Sequence, residues 1–145
     1  RLTPRASPAP DPWGAWFRPA RAGSRTIPRA PEAPMPEPRL KSSLWVAAYR
    51  RRLELLGIPA TVAAHGDDDA GAVLVKLATL DGRARAFHRS WDPATGARTW
   101  AALADGAEPE VDAAIARQRR FDPDLWVIEV EDRQGRHLLD EDGLA

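Results

Sequence analysis

The stretch Val73-Leu74-Val75-Lys76-Leu77-Ala78-Thr79-Leu80-Asp81-Gly82-Arg83-Ala84-Arg85-Ala86-Phe87-His88 decides how this chain folds. Two runs rich in β-branched and small apolar residues flank Asp81-Gly82, a pair that tolerates the positive φ angles of a type I′ turn. The expected hairpin joins strands 72–80 and 83–90. A two-residue loop sets its register, with Leu80 opposite Arg83, Leu77 opposite Ala86 and Val75 opposite His88. One surface then carries Val73, Val75, Leu77 and Thr79 against Ala84, Ala86 and His88. The other carries Leu74, Lys76, Ala78 and Leu80 against Arg83, Arg85, Phe87 and Arg89. The first surface is expected to face the core, because its alanines let a helix approach. The second holds too many charges to bury without partners.

Further elements follow on either side. Before the hairpin, Ser42 or Ser43 is expected to cap a helix over 44–56, with Gly57 and Pro59 as stop signals. A short strand over 60–65 ends in the acidic turn Gly66-Asp67-Asp68-Asp69. After the hairpin, Trp91-Asp92-Pro93-Ala94-Thr95-Gly96 turns the chain into a strand over 98–103. A second helix over 109–120 starts at Pro109 and turns Val111, Ala114, Ile115 and Gln118 inward. Strands over 125–132 and 137–139 complete the order α-β-β-β-β-α-β-β. The simplest architecture is α+β: a mostly antiparallel sheet with two helices packed on one face.

Composition divides the chain near Met35. Ten of the 14 prolines precede residue 39, and proline both removes donors and fixes φ. Residues 1–38 are therefore expected to be a disordered Pro/Arg-rich leader, with Trp13, Trp16 and Phe17 as its one apolar knot. Met35 is the only methionine, which suggests that translation starts there and that the leader is an over-extended reading frame. Residues 39–145 are expected to form one α+β domain.

Charge and composition exclude several classes. The chain has 21 basic and 21 acidic side chains, and the basic excess lies in the leader, leaving residues 39–145 mildly acidic. Such a domain is no general polyanion binder. There is no cysteine, hence no disulfide, thiolate metal site or cysteine nucleophile. No apolar run approaches the ~20 residues of a membrane span, and no secretory signal is evident. Expected partners thus exclude a membrane, and the expected location is the cytoplasm.

Three stretches together resemble one family. They are Arg39–Ala47 (RLKSSLWVA), Gly66–Lys76 (GDDDAGAVLVK) and Arg117–Asp132 (RQRRFDPDLWVIEVED), the last being the most specific. They are similar to the alphaproteobacterial domain of unknown function 1491 family, whose members begin close to Arg39. The resemblance spans roughly residues 39–139. It implies a bacterial cytosolic protein, and no activity comes with it.

Candidate chemistry is sparse. His65, Asp67 and Asp69 carry ligand types for a hard cation, yet their spacing fits no EF-hand or histidine–carboxylate motif; an acidic turn explains them better. His88 falls on the expected core face without a neighbouring nucleophile. Glu129 and Glu131 share one side of a strand, about 7 Å apart, a separation that would suit paired acid–base carboxylates, but a charge ladder with Arg83, Arg85 and Arg89 explains them better. Arg119 and Arg120 suit the C-terminal end of their helix. With Arg83, Arg85, Arg89 and Phe87 they would alternatively make a surface for a phosphate or nucleic acid. No catalytic residue and no cofactor is assigned. The favoured reading is a non-enzymatic module that holds a protein partner. A nucleic-acid or phospho-ligand binder and a small metal-assisted enzyme are the alternatives.

Overall fold

Residues 39–144 are described by the computed structural model, and the expected leader with Met35 lies outside them. The elements are α1 (Ser42–Leu55), β1 (Ala60–Ala64), β2 (Val73–Ala78), β3 (Arg83–Trp91), β4 (Arg98–Ala107), α2 (Glu108–Phe121) and β5 (Trp126–Glu131). The strands form one sheet in the order β1-β5-β2-β3-β4. The α+β class, both helices and a mostly antiparallel sheet match the expectation.

Three expectations about how the elements pair and pack fail, beside the last strand and the serine cap. The first concerns strand neighbours: β5 inserts between β1 and β2, antiparallel to the former and parallel to the latter, placing Ile128 beside Val75. No strand forms over 137–139; Leu138 takes φ 59 instead and its side chain enters the core.

The second concerns the helices, which lie on opposite faces of the sheet. Trp45, Val46, Tyr49 and Leu53 of α1 pack against Val73, Val75, Leu77, Ile128 and Val130. Val111 and Ile115 of α2 pack against Leu74, Ala84, Ala86 and Val127 on the other side. The reason is visible in β2, all of whose residues are buried. A central strand covered on both faces reads as a nearly continuous apolar run, not as an alternation. Leu74 and Ala78 therefore need a cover of their own, and α2 supplies it.

The third is the hairpin register, which differs by one position. Val75 faces Phe87, Leu77 faces Arg85 and Ala78 faces Ala84. The Thr79 N–H donates to the Arg83 carbonyl (3.2 Å), closing a three-residue loop in which Leu80 (φ 62) and Gly82 (φ 85) are left-handed. The Asp81 carboxylate accepts from the Thr79 hydroxyl (2.5 Å) and from the Arg83 N–H (3.1 Å). Those local bonds favour the wider loop over the two-residue turn. Ala84 and Ala86 consequently sit under α2, while Arg83, Arg85 and Arg89 share the α1 side with Val75. Arg85 remains exposed and Val75 is fully buried, as expected.

The acidic turn has a structural task. Neither Ser42 nor Ser43 caps α1 with its side chain. Instead the Ser42 and Ser43 N–H groups donate to the carbonyls of Asp69 and Asp68, and the Ser42 hydroxyl donates to the Gly71 carbonyl. The indole N–H of Trp126 donates to the Asp67 carbonyl at 2.7 Å. This loop lies so close to the chain before β5 that a Cβ on Gly71 would stand 2.6 Å from the Asp124 carbonyl oxygen.

The C-terminal residues close the α1 face. Leu138, Leu139 and Leu144 join its core, the Tyr49 hydroxyl donates to the His137 carbonyl (2.7 Å) and the Trp100 indole N–H donates to the Leu144 carbonyl (2.9 Å).

Gly71→Ala is expected to lower stability by about 3 kcal/mol, because backbone rather than a flexible side chain must move. Gly135→Ala meets only the φ penalty of a left-handed residue (φ 73) and should cost about 1 kcal/mol. Urea denaturation reads both as midpoint shifts at constant slope. Equal losses would overturn the close-approach argument.

Candidate functional site

The sequence-derived candidates do not converge. His65 Nε2 lies 2.8 Å from Asp68 Oδ1, and its ring packs on Trp126 at 4.0 Å. Asp67 Oδ1 accepts from the N–H groups of Asp69 and Ala70, and Asp69 pairs with Lys41 at 2.8 Å. Among the described residues no group of three His, Asp or Glu side chains is arranged to hold a metal ion. Arg83 and Arg85 both reach Asp105, at 3.6 and 2.8 Å. Phe87 is buried and covered by the tilted His137 ring (4.6 Å), so it offers no open platform. Arg119 and Arg120 end α2, on the opposite side of the sheet from the hairpin arginines. His88 is half-buried opposite Leu74 and Ala101.

The expected ladder of Glu129 and Glu131 with the hairpin arginines is also absent. The one-position register shift puts the arginines on the α1 side, while Glu129 lies on the α2 side against Lys76. Lys76 is a buried charge at the centre of the sheet. Its ammonium, 5 % exposed, sits 2.8 Å from Glu108, 2.7 Å from Asp112 and 3.5 Å from Glu129. Burial works against the charged form, but the hydrogen bonds to Asp112 and Glu108 and the field of Glu129 overcome it. The net result holds the pKa well above the ordinary lysine value. A lysine held so firmly protonated is neither a base nor a nucleophile at neutral pH. It ties the first turn of α2 to the centre of the sheet.

His137 is a half-buried histidine beside Phe87. Burial pushes its pKa below the ordinary value of 6.5, Asp140 opposing and Arg85 assisting. Its Nδ1 accepts from the Leu139 N–H at 3.1 Å, a bond open only to the ring with that nitrogen unprotonated.

A different group of residues gathers at the far end of β3 and β4. Arg89 stands directly across from Trp100, and Trp91 from Arg98. Each pair stacks guanidinium on indole, at 5.2 Å for Arg89 and 5.3 Å for Arg98. Trp45 of α1 covers Arg89 at 4.9 Å and touches Trp100 at 5.4 Å. Burial, together with the charge of Arg98, lowers the pKa of Arg89 from the ordinary arginine value. Of these residues only Arg89 was a sequence candidate. The signal for the rest is the spacing Arg89-x-Trp91 and Arg98-x-Trp100, which an antiparallel hairpin folds into alternating neighbours.

A two-helix, five-stranded α+β domain with a tryptophan–arginine cluster at one end is the class defined by this geometry. The chain belongs to the DUF1491 family, described as a protein of unknown function, whose model matches residues 40–140. A crystal structure of a DUF1491 family protein from Caulobacter crescentus is similar at 48 % identity and TM-score 0.65, covering 71 % of this chain and 97 % of that one. An NMR structure of a DUF1491 family protein from the same organism gives 48 % and 0.61, covering 70 % and 94 %. A solution structure from A. tumefaciens gives 34 % and 0.55, covering 65 % of this chain and 86 % of that one. No curated protein matches the chain. No helix among the described residues is long and apolar enough to cross a membrane.

Lys76→Ala is expected to destabilise the domain by about 3 kcal/mol, since three carboxylates then converge on no cation. Adding Glu108→Gln and Asp112→Asn should restore part of that loss. Because folding raises the Lys76 pKa, its contribution is complete below the ordinary value of 10.5 and fades only as pH climbs through the raised one. A Lys76→Ala protein as stable as the parent in urea would refute the anchoring role.

Folding lowers the His137 pKa, so the unfolded chain takes up that proton first. Stability present above pH 6.5 is therefore expected to fall as pH drops below 6.5 and through the depressed value. His137→Gln should flatten this slope in urea titrations at pH 7.5 and 5.0; an unchanged slope would assign it to other groups.

Proposed function

We propose that this domain is a non-enzymatic protein-interaction module that meets its partner at the tryptophan–arginine end of the sheet. One observation carries the reading: Trp91 is 59 % exposed beside Arg98, next to the Arg89–Trp100 pair. Large aromatic and guanidinium side chains are the groups that concentrate binding energy at protein interfaces. Elsewhere the charged groups with catalytic potential are engaged in holding the fold. Lys76 anchors α2, the acidic loop caps α1, and the Asp105 carboxylate is shared by Arg83 and Arg85. The last of these pairings also weakens the alternative of an arginine-lined nucleic-acid surface, because two of its cations already have a carboxylate.

The test is site-specific photo-crosslinking in cells that make the full chain. A benzophenone amino acid at position 91 should give one discrete protein adduct, lost with Arg98→Glu. The same probe at Phe121, 85 % exposed at the end of α2, should not. No discrete adduct at 91, or the same adduct from both positions, would overturn the proposal.

A further inference from the structure

We infer that Arg89, Arg98 and the indole N–H of Trp45 form a receptor for an oxyanion, a carboxylate or phosphate group carried by the ligand. The inference rests on reading this end of the sheet as the binding surface, and it names the chemistry bound there.

Three observations point the same way. Arg89 and Arg98 are diagonal neighbours across β3 and β4 on one face, and beside burial the charge of Arg98 works against the charged form of Arg89, a net positive spot on a mildly acidic domain. Among the described residues, acidic partners are taken up by Arg83, Arg85 and Arg136 and not by Arg89 or Arg98. Most telling are the donors. Trp45 is 5 % exposed and its Nε1 has no acceptor, and the Nε of Arg89, whose guanidinium packs on the Trp45 ring, is likewise buried and unpaired. A buried N–H without an acceptor costs on the order of 1–3 kcal/mol, more for a charged group, so native folds rarely keep two side by side. The guanidinium carbon of Arg89 lies 4.9 Å from the centre of the Trp45 ring, so the two side chains that carry these donors pack together.

The chemistry of the ligand follows by elimination. A cation would be repelled by both guanidinium groups. An apolar side chain would cover the donors and leave them unsatisfied. A neutral carbonyl would satisfy one donor and leave the paired positive charges facing each other. An oxyanion offers several lone pairs and the opposing charge together, and arginine's planar fork suits it. Trp91, the exposed outer wall, would stack on the group bearing the anion.

The full chain, labelled with nitrogen-15, is titrated with inorganic phosphate and, separately, with a blocked Ala-Glu-Ala tripeptide. Sodium chloride at matched ionic strength serves as the reference. Saturable downfield shifts of the Trp45 indole N–H and the Arg89 Nε–H are expected, weakened about tenfold by Arg98→Gln, the size of one charge-assisted hydrogen bond. Should Arg98→Gln disturb the amide spectrum, Arg98→Lys keeps the charge and should keep most of the binding. Saturation by phosphate alone assigns the site to a phosphoryl ligand, and saturation by the tripeptide alone assigns it to an acidic side chain; either supports an oxyanion receptor. No saturable shift with either probe, or equal shifts with chloride, overturns it. A crosslink at position 91 with blank titrations would leave the interaction module standing without the oxyanion. Positive titrations without a crosslink would do the reverse.

Discussion

The parallel pairing of Trp126–Glu131 with Val73–Ala78 is the constraint on which the rest of this molecule depends. It places β5 inside the sheet, so β1 and β2, neighbours in sequence, are never neighbours in space. A parallel join needs a long crossover, and the segment that makes it contains α2. That helix lies on the opposite face from α1, and the sheet becomes a layer covered twice. Every side chain of β2 then leaves water, whatever its polarity.

From that follows the treatment of polar groups. Lys76 sits in the middle of β2 and has no route to solvent, so carboxylates must come to it. Glu108 and Asp112 arrive from the start of α2 and Glu129 from the adjoining strand. An acidic first turn favours a helix by its own dipole, but here it also locates the helix over one point of the sheet. The same layering explains the glycines before β2. With Trp126 beside Val73, the loop over residues 66–71 runs against the Asp124 backbone, where a side chain has no room.

Much of this was legible in the sequence, and the failures have physical causes. Both helices were readable from apolar spacing and their stop signals, Gly57 for α1 and Asp122-Pro123 for α2. The alternation Trp126, Ile128, Val130 against Val127, Glu129 was readable as well. The hairpin register was not, because Asp81-Gly82 signals a two-residue turn while the Asp81 carboxylate stabilises a three-residue one through Thr79 and Arg83. That single position moved Ala84 and Ala86 to the other face and separated the arginines from Glu129. The side on which each helix packs is a tertiary choice with no local signature. Hydrophobic residues at 137–139 resembled a strand, yet backbone carbonyls there are taken by Tyr49 and by a turn.

The surface proposed to bind was half legible, and the reason lies in how arginines sort. A run of arginines at alternate positions in β3 looks uniform in sequence. The fold divides it by what β4 places opposite. Asp105 stands across from Arg85 and converts that cation, with Arg83, into part of an ion pair. Trp100 stands across from Arg89 and offers a π face instead, which attracts the charge without neutralising it. A carboxylate partner satisfies both the charge and the hydrogen-bond donors of a guanidinium. An indole face satisfies neither the N–H groups nor the need for a counter-ion. The ion-paired end of the hairpin therefore has a carboxylate shared by its two guanidinium groups, and the tryptophan-backed end has none. Any acceptor that reaches the second end gains donors already desolvated and already oriented by packing. Specificity would then come from cross-strand register, which decides which arginine meets a carboxylate and which meets a ring.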